Sequence, residues 1–147
     1  MIIAFYTQAS SAMYTFSTKN MDESITIKAC CNNGQTKAGH ILYYIDKNKL
    51  ASIAKLEVER KYQEKGLGSQ LLLMAFADMK SKGVNEIEWA PSTRSIQFYQ
   101  RFGAQTYRYG NYMKISFYRD GEPATNLAEY YAGKMFTRAE KDIESYL

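Results

Sequence analysis

The chain of 147 residues has only two cysteines, two prolines, one histidine and one tryptophan, and each scarcity excludes something. The cysteines are neighbours, Cys30 and Cys31. Adjacent strand residues point to opposite faces, so they make a poor mutual disulfide and no disulfide scaffold follows. With His40 the only histidine, a four-ligand zinc site lacks ligands. No Pro-rich linker, internal repeat or low-complexity tract divides the chain. The longest apolar run, Leu71 to Ala77, is seven residues, against the ~20 that span a bilayer. No Lys or Arg precedes Lys19, so the apolar start Met1 to Tyr6 lacks the basic flank of a secretory signal. A single domain without a membrane span, in the cytoplasm, is the expectation.

What is present is moderate in charge and rich in tyrosine. The 19 basic and 15 acidic residues leave +4, which favours anionic ligands slightly but falls short of a nucleic-acid-binding footprint. Thirteen tyrosines supply amphipathic area suited to packing and surface alike.

Periodicity orders the chain. Ser24 to Cys31 alternates, with Ile25, Ile27, Ala29 and Cys31 on one side, and the turn residues Asn32-Asn33-Gly34 lead to a second apolar run, His40 to Ile45. A third run, Leu50 to Glu59, sets Ala54, Leu56 and Val58 against Lys55, Glu57 and Glu59. The spacing predicts a three-stranded meander. Gln70 to Lys82 is rich in helix formers and stops at Gly83, Val84 to Ala90 reads as a strand, and a second helix runs from Pro91-Ser92 to Gly103. Ala104 to Tyr109 and Tyr112 to Tyr118 read as strands joined by Gly110-Asn111. After Pro123 the chain reads as helical, with Thr137 and Glu140 fitting a capping box. The expected architecture is mixed α/β, with a core of about residues 24–118 and a partly helical extension over 119–147.

One segment carries chemistry. From Leu56 to Leu72 a strand runs into a basic loop holding Gly66 and Gly68, and the loop opens a helix. Backbone N–H groups at a helix N-terminus bind phosphate, and glycines let the ligand approach. The spacing is neither a Walker loop nor a dinucleotide fingerprint, since Leu71 stands where a third glycine belongs. A plain strand-to-helix turn is the alternative.

The run Gln63-Glu64-Lys65-Gly66-Leu67-Gly68 resembles the acyl-CoA loop Gln/Arg-x-x-Gly-x-Gly/Ala of the GCN5-related N-acetyltransferase (GNAT) superfamily. Leu56-x-Val58 before it and Leu71-Leu72 after it fit the same pattern, as do Ser92, Ser95, Phe98-Tyr99 and Phe102-Gly103-Ala104 further on. The resemblance spans about Ser24 to Tyr118. It implies the GNAT fold, with a mixed, mostly antiparallel sheet flanked by helices, and acetyl-CoA as cosubstrate. It further implies transfer of acetyl to a primary amine, on a small molecule or a protein, by direct attack in a ternary complex. A degenerate acyl-CoA-binding sensor is the alternative, and an acetyltransferase toxin acting on charged transfer RNA a weaker one.

By the same resemblance, backbone groups of Leu56 and Val58 hold the pantetheine arm and thioester carbonyl. Gly66, Gly68 and Ser69 cradle the pyrophosphate through their N–H groups, and Gln63, Leu67, Ser92, Phe98 and Arg101 complete the cofactor set with Lys65. Arg60, Lys61 or Lys65 lies near the charged nucleotide end, unless the three form a solvated cluster. Tyr99 donates to the departing sulfur, unless it is only a core aromatic.

Three departures stand out. Where relatives place a carboxylate on the strand ending in Val58, this chain shows Ser52 and Ala54. Alternation puts Glu57 and Glu59 on the other face, and His40 has a suitable intrinsic pKa but no known distance to the thioester, so the base stays open. Ser92 replaces a frequent asparagine. Thr7 to Glu23 is too short and weakly periodic for the two helices that relatives place there; the acceptor site is then open or completed by the C-terminal extension, in one chain or across a homodimer.

Overall fold

A computed structural model describes residues 2–6, 13–119 and 122–123, with side chains from 14 to 117. Five strands follow one another as an antiparallel meander: β1 (Ile2–Tyr6), β2 (Met13–Met21), β3 (Ser24–Cys31), β4 (Thr36–Ile45) and β5 (Leu50–Val58). Helix α1 (Leu67–Ser81) crosses to β6 (Glu86–Trp89), which lies parallel to β5. A 3₁₀ turn (Thr93–Ser95) and the short α2 (Ile96–Gln100) lead to β7 (Gln105–Tyr107) and β8 (Tyr112–Ser116). The eight strands form one sheet in the order β1-β2-β3-β4-β5-β6-β8-β7. A two-residue pair, β9 (Tyr118–Arg119) with β10 (Glu122–Pro123), follows.

The mixed, mostly antiparallel sheet agrees with the sequence reading, and β3 has the expected bounds. The meander is longer than expected, because Met13–Met21 is a strand pairing with β3 over seven positions. Weak helical periodicity there reflects alternation instead: Tyr14 and Phe16 are buried between more exposed neighbours. Only residues 7–12 separate β1 from β2, too few for the two helices of the family pattern. Helix α1 begins three residues earlier than predicted, capped by Gly66 in a left-handed conformation. The expected helix after Pro123 and its capping box lie outside the described residues.

Two bulges matter. The register of β4 against β5 passes from Leu42↔Lys55 to Tyr43↔Ile53, so Ala54 is an extra residue on β5. A bulge resets alternation. Ala51 and Ile53 therefore share a face with Leu56 and Val58, while Ser52 shares the other face with Lys55 and Glu57. The expectation that Ser52 and Ala54 occupy the face of Leu56 and Val58 is thus corrected: period-two reading assumes an unbroken ladder. The second bulge places Ala38 between the pairs Ala29↔Gly39 and Cys30↔Lys37.

The core lies between α1 and one face of β3, β4 and β5. Ile27, Ile41, Tyr43 and Ala51 meet Leu71, Leu72, Ala75 and Met79, all but wholly buried. The Tyr43 hydroxyl donates to Asp78 Oδ2 at 2.6 Å, fixing α1 over β4. Gly39 is where helix, strand and bulge crowd together: a Cβ there would lie 2.8 Å from the Glu57 carbonyl oxygen and 3.4 Å from Leu71 Cδ1. Only glycine fits without displacement.

Candidate active site

Strand β5 touches β6 at two positions only, Leu50↔Glu86 and Ala51↔Ile87. Beyond them β5 continues for seven residues to Val58 while pairing with β4 alone. The Ser52–Val58 edge thus offers unladdered backbone to a ligand, including groups of Leu56 and Val58.

At the end of that edge the chain enters the glycine loop. A 3₁₀ turn, Arg60–Tyr62, is held by Tyr62 N–H donating to Glu59 O at 2.8 Å. The Gln63 side chain then donates back to Val58 O at 2.9 Å, so its amide serves the loop itself. Glu64 (φ 61°) and Gly66 (φ 82°) reverse the chain. Gln70 N–H reaches Gly66 O at 3.0 Å, which leaves the N–H groups of Leu67, Gly68 and Ser69 without intrahelical acceptors. No side chain caps this end, and no acidic residue occupies its first turn. These features suit an anion. Leu67 is 1% exposed, so only its backbone can take part.

The second element closes on the first. A Cβ at Gly68 would sit 3.6 Å from Val58 and 3.8 Å from Phe98. Phe98 packs against Tyr99 at 5.2 Å and Phe102 at 5.3 Å, and the Arg101 guanidinium stacks over it at 5.6 Å. Val58, Gly68, Phe98, Tyr99 and Arg101 are thereby brought together. Ser92 is exposed and pairs with Ser95 at 3.0 Å instead of joining them. Lys65 is half-buried, and Lys61 lies over the Tyr62 ring at 5.7 Å.

Tyr99 is 4% exposed and packs edge-on against Trp89 at 4.9 Å. Among the described residues its hydroxyl has no hydrogen-bond partner. Burial pushes its pKa up to about 12. Full proton transfer to a thiolate of pKa ~8.5 would then cost roughly 5 kcal/mol. The hydroxyl is a hydrogen-bond donor before it is an acid.

Sequence reasoning missed the support of the loop. Tyr62 is buried, its hydroxyl lies 2.9 Å from Cys31 Sγ, and its ring meets Tyr14 edge-on at 6.1 Å. Both cysteines are free and buried. Gly39 was also passed over, although a glycine inside a strand pattern signals a bulge or close backbone approach. No set of three or more His, Cys, Asp or Glu side chains among the described residues could hold a metal ion. None of the described helices is long and apolar enough to cross a membrane.

Comparison with known proteins accords with this geometry. A profile of the acetyltransferase (GNAT) family matches residues 3–104, and the chain belongs to that family. No curated protein sequence matches it. Among solved structures it is similar to the ribosomal-protein-S18-alanine N-acetyltransferase of Escherichia coli, at 17% identity and TM-score 0.58, over 70% of this chain and 75% of that one. It is similar also to the PaiA N-acetyltransferase of Thermoplasma acidophilum in complex with coenzyme A, at 23% identity and TM-score 0.57, over 64% and 61%. A GNAT-family acetyltransferase of Brucella melitensis in complex with acetyl-CoA gives 19% identity and TM-score 0.54, over 65% and 60%. These likenesses establish the GNAT acyl-CoA N-acyltransferase fold.

Proposed function

We propose that the chain is an N-acetyltransferase that moves an acetyl group from acetyl-CoA to a primary amine by direct attack in a ternary complex. The observation that carries the reading is the free β5 edge ending beside an uncapped helix N-terminus, with Gly68, Val58 and Phe98 in contact. In this reading the N–H groups of Leu67, Gly68 and Ser69 bind the pyrophosphate. Lys65 and the neighbouring cations balance its charge. Backbone of Leu56 and Val58 holds the pantetheine and polarises the thioester carbonyl. Phe98 and Arg101 line the arm, Ser92 lies at its rim, and the Tyr99 hydroxyl steadies the departing sulfur. The complexes of similar proteins with coenzyme A and acetyl-CoA support the choice of cosubstrate. The acceptor is a small amine or a protein amine, and the similarity to an enzyme named for a ribosomal protein supports including the second.

A second reading is an acyl-CoA-binding sensor without turnover: past the bulge, the face that Leu56 and Val58 share carries Ala51 and Ile53 and no carboxylate. Acetyl-CoA binding followed by transfer to a panel of amino acids, polyamines and peptides tests the pair. Binding with turnover supports the enzyme, binding without turnover the sensor, and no binding removes both.

A further inference from the structure

Strands β5 and β6 pair at Leu50↔Glu86 and Ala51↔Ile87 and then part. Continuing that register, the next residues on the core face are Ile53 and Trp89, 5% and 3% exposed. On its other side β6 is backed by β8, where Trp89 pairs with the buried Met113. The Trp89 ring meets Tyr99 of α2 edge-on at 4.9 Å, and Tyr99 is as buried as its neighbour. Further along the parting strands the side chains are half-buried: Leu56 and Val58 on β5, and Phe98 of α2, which meets Gly68 together with Val58. The cleft therefore runs from an open end at the glycine loop to a closed end at Ile53, Trp89 and Tyr99.

We propose that Trp89 limits the transferred group to acetyl, because its indole closes the end of the cleft toward which the acyl chain points. The inference rests on the acetyltransferase reading and names the acyl donor that this site accepts. In that reading the pyrophosphate lies at the N-terminus of α1, the pantetheine passes Val58 and Phe98, and the sulfur reaches the Tyr99 hydroxyl. The acyl group is bonded to the sulfur on the side away from the pantetheine. It therefore extends past Tyr99 toward the closed end, where the ring in edge-on contact with Tyr99 is Trp89. A methyl group stops short of that ring. Each added methylene has to displace ring atoms held between β8 and Tyr99, and overfilling a close-packed interior is unfavourable.

Fold stability does not account for an indole at this position. Its Nε1–H is enclosed and has no acceptor among the described residues, and an unpaired buried donor weakens a fold. A phenylalanine carries no such donor. What the indole adds is the bulk of a second ring at the end of the cleft.

The test has two arms. The chain has one tryptophan, so its indole N–H gives a single signal in a proton–nitrogen correlation spectrum. Saturation with acetyl-CoA should place that signal apart from its position with CoA, since the acyl group is what distinguishes the two ligands. Coincident positions overturn the inference. In the second arm, kcat/KM with one accepted amine should fall on the order of 10-fold from acetyl-CoA to propionyl-CoA, and further with butyryl-CoA. Trp89→Leu should lower the acetyl-to-propionyl ratio ~10-fold, and Trp89→Phe by less. Folded variants that keep the wild-type ratio overturn the inference. So does a wild type that uses butyryl-CoA as well as acetyl-CoA, which decides the matter even if neither variant folds. A wild type that binds acetyl-CoA yet acetylates no amine removes the acetyltransferase reading and this inference with it.

Discussion

The hydroxyl of Tyr62 lies 2.9 Å from the thiol of Cys31. That contact ties the turn before the glycine loop to β3, two strands away from β5 in the sheet order. The loop is thus positioned by buried side chains. Tyr62→Phe keeps the ring against Tyr14 and loses only the link. Acetyl-CoA affinity should fall several-fold with the far-ultraviolet circular dichroism unchanged. Cys31→Ala should do the same, and calorimetry on the double variant should show less than the sum, as for one shared interaction.

Gly66 carries a positive φ of 82°, with nothing within 4 Å of an added Cβ. Substitution there is a test of conformation and not of space. Gly66→Ala should lower stability by about 1–2 kcal/mol, the cost of a left-handed non-glycine residue, measured by urea unfolding.

Tyr99→Phe removes the only atom that the proposed chemistry asks of this side chain. Its ring contacts with Trp89 and Phe98 remain. The expected outcome is a kcat lower by on the order of 10², with acetyl-CoA affinity unchanged, by analogy with loss of one preorganised donor.

Alkaline stability follows from the same residue. Burial raises Tyr99 from 10 to about 12, so the folded protein favours the neutral form. The stabilisation, on the order of 3 kcal/mol, is fully present below pH 10 and is lost as pH rises through about 12. Tyr43 acts in the same direction, through burial and then its bond to Asp78. Urea midpoints should hold steady from pH 7 to about 9 and fall above pH 10, less steeply in Tyr99→Phe.

How far the sequence could be read depended on what each pattern encodes. The glycine loop was legible as a basic, glycine-containing turn from strand to helix, and the Phe98-Tyr99 pair through the family resemblance, with Phe98 and Phe102 at helical spacing. Strand β3 was legible from unbroken alternation. The faces of β5 were not, since the extra residue at Ala54 is specified by pairing with β4, which a single strand does not display. Likewise the Tyr62–Cys31 contact joins residues 31 positions apart, and Gly39 owes its identity to a carbonyl of the adjacent strand. The C-terminal helix expected after Pro123 lies outside the described residues.

The most direct test of the account is isothermal titration of the protein with acetyl-CoA beside Gly66→Glu, which sets bulk and negative charge at the uncapped end of α1. The account predicts stoichiometric binding by the wild type and none by a folded Gly66→Glu. Equal binding by both, or none by the wild type, would contradict it.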